Sequence, residues 1–123
     1  MRYRRLSYGY GLVLHTATPP PQTAWRPAAD IYETPRGISL TVELPGIDPD
    51  EVDVAFFENA VVVEGRRRMP SLDAAGIYHT AEIRRGPFRL EIALPARVDA
   101  EPVELHCELG LLSIRLAKAS RAE

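Results

Sequence analysis

Three histidines, one cysteine and a run of three arginines are the residues of this chain with the most chemistry in them. His15, His79 and His106 sit in three unrelated segments, and none has a second ligand at a spacing that would close on a metal ion. His79 lies near Tyr78 and Glu82 and reads as a solvent-exposed polar contact. His106 and Cys107 are neighbours, but successive residues of a strand point to opposite faces, so they cannot form a thiolate–imidazole pair with each other. Cys107 instead shares a face with Leu105 and Leu109, as a small hydrophobe of a core or groove would. Ser7 and Ser113 have no base that spacing places beside them, and there is no glycine-rich phosphate loop, nucleophile elbow or paired-carboxylate pattern. The expectation is a protein that is not an enzyme, with no cofactor and no metal.

Arg66-Arg67-Arg68 raises the question of nucleic acid. Acidic residues (17) outnumber Lys and Arg (15), no aromatic interleaves with the run, and it ends at Pro70. That is a solvated loop, and no nucleic-acid partner is expected. A single cysteine leaves no internal disulfide framework and fits a reducing compartment. No apolar run approaches the ~20 residues of a membrane helix. The opening MRYRRLSYGYGLVLH loosely imitates a signal peptide, yet its apolar part is short and interrupted by His15. The reading is a cytoplasmic protein, without a membrane partner.

The elements that must position these side chains are short strands. In the stretch Trp25–Gly46, Ile38, Leu40, Val42 and Leu44 fall on one face at period two, with Ser39, Thr41 and Glu43 opposite. Ala29–Glu33 precedes it as another strand. Val52, Val54 and Phe56 alternate in the next, Glu58-Asn59 turns the chain with Asn59 suited to a left-handed conformation, and Ala60–Gly65 returns with Val61 and Val63 on one face. Phe88–Leu94 is a further strand, and Val103–Leu109 and Leu111–Leu116 form the last hairpin, turning at Gly110. Asp48-Pro49-Asp50-Glu51 suits one helical turn, capped by Asp48. The sum is an all-β, antiparallel, immunoglobulin-like β-sandwich. Residues 1–24, with Pro19-Pro20-Pro21, read as a mobile arm and stiff spacer; 25–117 as the domain; 118–123 as a short tail. The connection Arg66–Gly86 is long for a loop, and Ile77–Ile83 within it suits one extra strand.

These residues resemble the small heat-shock proteins, specifically the alpha-crystallin domain of the bacterial and plant type. Trp25-Arg26-Pro27-Ala28-Ala29-Asp30-Ile31-Tyr32-Glu33 looks like the domain-opening motif, and Glu43-Leu44-Pro45-Gly46 like the turn that follows. Val61, Val63 and Gly65 fit the hairpin return strand, Tyr78, Glu82, Gly86 and Phe88 keep a Tyr-x3-Glu-x3-Gly-x-Phe spacing closed by Leu94-Pro95, and Gly110-Leu111-Leu112-Ser113-Ile114 is similar to the late signature. The resemblance covers about Trp25–Lys118. It departs from the family at Leu90, where an arginine that supports the dimer is usual, and at Leu109, where Asn or Asp is usual. The residues after Leu116 carry no Ile-x-Ile or Ile-x-Val docking motif, so a smaller or looser assembly is expected.

The resemblance implies an ATP-independent holdase chaperone whose partners are unfolding client proteins and itself, as a strand-exchanged homodimer or higher oligomer. Its client-binding groove would run between Val52, Val54 and Phe56 on one side and Leu105, Cys107 and Leu109 on the other, open or covered by the arm. Arm contacts with clients or other copies would be Leu6, Tyr8, Tyr10, Leu12, Val13 and Leu14. Dimer exchange would use Ile77, Tyr78, His79, Glu82 and Ile83 against Ile31 and Tyr32 of the other copy. The competing class is a CS-type co-chaperone or interaction module, which shares a similar sandwich without holdase activity.

Overall fold

Period-two alternation decides the architecture. A strand with apolar residues on one face must bury that face, and two such sheets do so against each other. The computed structural model describes residues 5–9 and 24–119, as strands β1 (Arg5–Gly9), β2 (Ala29–Glu33), β3 (Gly37–Glu43), β4 (Val52–Phe57), β5 (Ala60–Arg67), β6 (Gly86–Ala93), β7 (Val98–Glu108) and β8 (Leu111–Lys118). One sheet has the order β1-β4-β5-β6 and the other β2-β3-β8-β7. All pairings are antiparallel except β1 with β4, which is parallel. Between the sheets lie Ile38, Leu40, Val42, Val54, Val61, Val63, Phe88, Leu90, Leu112 and Ile114, all buried. Each such side chain contributes roughly 1.5–3 kcal/mol by leaving water. No α-helix occurs among the described residues; Pro49–Glu51 forms one 3-10 turn, and the Asp48 carboxylate accepts from the Asp50 N–H at 2.9 Å.

Several features differ from the expectations, among them Arg66 and Arg67, which belong to β5 and not to the loop. The arm contributes a strand, since Arg5–Gly9 pairs with Asp53–Phe57 along the edge of β4; an edge strand borrows its ladder from its neighbour and needs no pattern of its own. Tyr10, Leu12, Val13 and Leu14 lie outside the described residues. Asn59 turns the chain without a positive φ; Leu94 N–H and Val98 N–H bond back to the Asn59 and Glu58 carbonyls and hold this turn instead. Strand β5 is buried on both faces at its start, because Val62 is shielded as well as Val61 and Val63; it sits in register between Ala55 and Glu91.

Phe88 packs between Gly65 and Trp25. Gly65 lies opposite it in the ladder, and a Cβ at Gly65 would come within 2.7 Å of the Phe88 ring as well as overlapping the Glu51 carbonyl oxygen. Phe88 therefore occupies space that only glycine leaves. The Trp25 ring stacks on it at 5.3 Å, tilted by 50°, a geometry that suits the quadrupoles of two aromatic rings.

The long connection between β5 and β6 is tied at its neck. Arg67 Nη1 donates to the Arg84 carbonyl at 2.8 Å, and Arg85 Nη1 donates to the Arg68 carbonyl at 3.3 Å. Arg68 reaches the Glu51 carboxylate with two donors, at 3.0 and 2.7 Å. Hydrogen bonding from Arg68, aided by its charge, holds the Glu51 carboxyl below its ordinary value of 4.5. Over that interval the unfolded chain binds more protons, so the contribution of this contact is complete above the ordinary value and fades as pH falls through the lowered one.

Two outcomes follow for thermal and urea denaturation. Phe88→Ala should destabilise the fold by about 3–5 kcal/mol; an unchanged melting temperature would refute its place in the core. Arg68→Ala should melt below the parent at neutral pH, and the difference should shrink as pH drops below 4.5. A difference that is constant with pH would show that the pair does not couple to folding.

Candidate functional site

Sheet edges are where this molecule has backbone groups to offer, and the chain treats each edge differently. The first half of the β6 edge is covered by Trp25: its N–H donates to the Pro87 carbonyl at 3.1 Å, its carbonyl accepts from the Arg89 N–H at 2.9 Å, and its indole Nε1 donates to the Gly86 carbonyl at 3.3 Å. The Arg67 guanidinium lies over the Trp25 ring, 4.6 Å from its centre. Burial, then repulsion from Arg85, lowers the Arg67 pKa, and Glu43 acts the other way. This Trp25–Arg67 stack carries no sequence signal, because the two residues are remote along the chain and meet only through β5–β6 pairing.

The β2 edge is different. Strand β2 pairs with β3 alone among the described strands, and it presents Tyr32, 69% exposed, with Ile31 beside it. The β5–β6 connection carries a second apolar set, with Ile77 (78% exposed), Tyr78, Ile83, Met69 and Leu72 all in solvent. His79 and Glu82 of this segment are exposed too. An open hollow of about 310 Å³ is lined by Met69, Tyr78, Glu82, Ile83 and Arg85. The extra strand expected at Ile77–Ile83 is not formed within the single chain. A strand exists only where a neighbouring edge accepts its hydrogen bonds, and this segment has no such neighbour among the described residues. The contributions of Met69 and Leu72 were not legible beforehand, since isolated apolar residues in a loop have no period.

The groove residues divide into three groups. Val52, Val54 and Phe56 of β4 are buried in the core. Val103, Leu105 and Cys107 of β7 are half-buried, and Val103 and Leu105 pack against that core. Leu109 leaves the row, because β7 ends at Glu108 and Leu109 forms the turn. The outer edge of β4 is paired by β1, in a register that sets Leu6 beside Val54 and Tyr8 beside Phe56. The arm therefore covers the β4 side of the groove.

Leu90 is fully buried, as a leucine at that strand position should be. Its neighbour Arg89 faces outward and is satisfied within the chain, with Glu64 at 3.0 Å and Glu91 on its other side. Burial opposes its charge, and hydrogen bonds to Glu91 and Glu64 more than offset this, so its pKa is raised. Arg89 is thus engaged by its own sheet. His106 is exposed, with Nε2 3.6 Å from a Glu108 oxygen. Among the described residues no three His, Cys, Asp or Glu side chains gather as a metal site would require, and no helix is long and apolar enough to cross a membrane.

Comparison with known proteins matches residues 30–123 to the model of the Hsp20/alpha crystallin family. The small heat shock protein C2 of Rickettsia felis is 32% identical over 97 residues, which are 79% of this chain and 63% of that protein. The chain thus spans under two thirds of that relative's length. Among solved structures, heat shock protein 16.0 of Schizosaccharomyces pombe superposes with a TM-score of 0.70 at 28% identity, over 80% of this chain and 91% of the other. The hspA of Xanthomonas axonopodis does so with a TM-score of 0.67 at 32% identity, over 76% and 94%. Sandwich topology, the loop between β5 and β6 and these matches agree: the chain belongs to the Hsp20/alpha crystallin family.

Proposed function

We propose that this chain is an ATP-independent holdase chaperone, which binds unfolding proteins and prevents their aggregation. The observation that carries the reading is the exposure of apolar residues on two surfaces with no partner among the described residues: the β2 edge and the β5–β6 connection. An exposed strand edge beside apolar side chains invites a further strand, and a protein that keeps one either covers it with another copy or uses it. The names of the relatives, all heat shock proteins in the comparisons above, support a stress role.

The two surfaces complement each other. Ile77–Ile83 of one copy would lie along β2 of another near Ile31 and Tyr32, and reciprocity would produce a two-fold dimer. The arginine-tied neck would fix where the connection leaves the sandwich, which reduces the entropy lost on pairing. Clients would then be held at the groove between β4 and β7. The β1 strand is its resident cover, and an extended client segment would replace it by the same strand addition. Residues 25–117 form the unit that does this, and the reading places it in the cytoplasm.

Light scattering of a heat-labile model protein, with this chain at molar equivalence and no ATP, should show strong suppression of aggregation. No suppression while the chain stays folded would favour a partner-specific binding module of the CS type. Deleting Asp73–Ile83 should give monomers by sedimentation; a deletion variant that remains dimeric would rule out exchange through this segment.

A further inference from the structure

We infer that Leu109, at the tip of the β7–β8 hairpin, is a specificity-determining contact for extended apolar segments with basic flanks; this rests on the holdase reading above. Leu109 has φ +54°, the one positive value among the described non-glycine residues, and it is 93% exposed. The left-handed region is unfavourable for a leucine and accepts Asn, Asp or Gly far more readily. The register closes Glu108 on Leu111, so Leu109 and Gly110, both with positive φ, form the two-residue turn in which Asn-Gly is the preferred pair. Leucine here gains nothing from burial and strains the backbone. An unfavourable residue held at a surface position points to a role in contact.

The turn cannot relax inward. The Leu44 N–H donates to the Gly110 carbonyl at 2.7 Å, and a Cβ at Gly110 would lie 2.9 Å from Pro45 Cα. The tip is therefore a fixed knob, which loses little freedom when it docks. Leu111, 43% exposed, extends it, and the half-buried row Val103, Leu105, Cys107 leads from the groove to it.

The charges around it choose the occupant. Glu108 is exposed at the end of β7 next to Leu109, and exposed Glu43 lies in register with Leu111, whereas Glu104, further back, stands opposite Arg115. Two exposed carboxylates, Glu108 and Glu43, near an apolar knob favour a segment whose apolar residues are flanked by Lys or Arg. A second copy docking tip to tip would set Glu108 against Glu108, which disfavours that occupant.

The test is fluorescence anisotropy on the full chain with a labelled ten-residue peptide, apolar at its centre and flanked by lysines, against a counterpart flanked by glutamates. The parent should prefer the lysine-flanked peptide. Leu109→Asn should melt about 4 °C higher, since the strain is relieved, and bind that peptide roughly tenfold more weakly. Unchanged affinity in Leu109→Asn, equal binding of both peptides, or no binding by the parent would overturn the inference. So would a change in assembly mass by multi-angle scattering with peptide affinity intact, which would assign the knob to contact between copies. If the parent suppresses aggregation and Leu109→Asn suppresses it equally, only this inference falls; if the parent fails to suppress, the holdase reading falls with it.

Discussion

A sandwich of two four-stranded sheets has backbone donors and acceptors along its outermost strands, and each must find water, a cover or a partner. The rest of this molecule is arranged around that constraint. Trp25 covers the first half of the β6 edge with two backbone bonds and an indole N–H. Strand β1 occupies the β4 edge. Strand β7 alternates exposed Glu104, His106 and Glu108 with half-buried apolar residues, which discourages unplanned pairing. Among the strands whose side chains are described, β2 combines an open edge with exposed apolar side chains.

The core supports this division of labour. Phe88 fills the space above Gly65 and carries the Trp25 ring, so the cover of the β6 edge is coupled to the packing of the interior. Nearby, Arg67 both stacks on Trp25 and ties the neck of the β5–β6 connection, and Arg68 binds that neck to the turn before β4. Arg67 and Arg68 of the arginine run thus act as local fasteners. Arginine suits the task because its planar fork can stack and donate at once.

Among the described residues no three His, Cys, Asp or Glu side chains gather, and the strongly hydrogen-bonded charges, Arg68 with Glu51 and Arg89 with Glu64 and Glu91, are structural pairs at the surface. What the molecule has to offer is shape and apolar area: an edge, a loop, a covered groove and one rigid leucine.

Much of this was legible in the sequence because alternation is a local property. Ile38, Leu40 and Val42, or Phe88, Leu90 and Ile92, announce their buried face within seven residues or fewer, and the Asp48 cap follows from residues close by, whereas β5 runs on to Arg67, β6 starts at Gly86 and β7 starts at Val98, beyond the limits that alternation suggests. The order of motifs likewise identified the family. The tertiary structure alone decided how edges are filled, since pairing joins residues that are far apart in the chain. It placed Arg5–Gly9 parallel to β4, shielded Val62 on the outer face of β5, engaged Arg89 within its own sheet and left Ile77–Ile83 without a strand. It also turned Leu109 from a groove residue into an exposed knob, because the two-residue turn forces both Leu109 and Gly110 into the left-handed region while Pro45 blocks retreat.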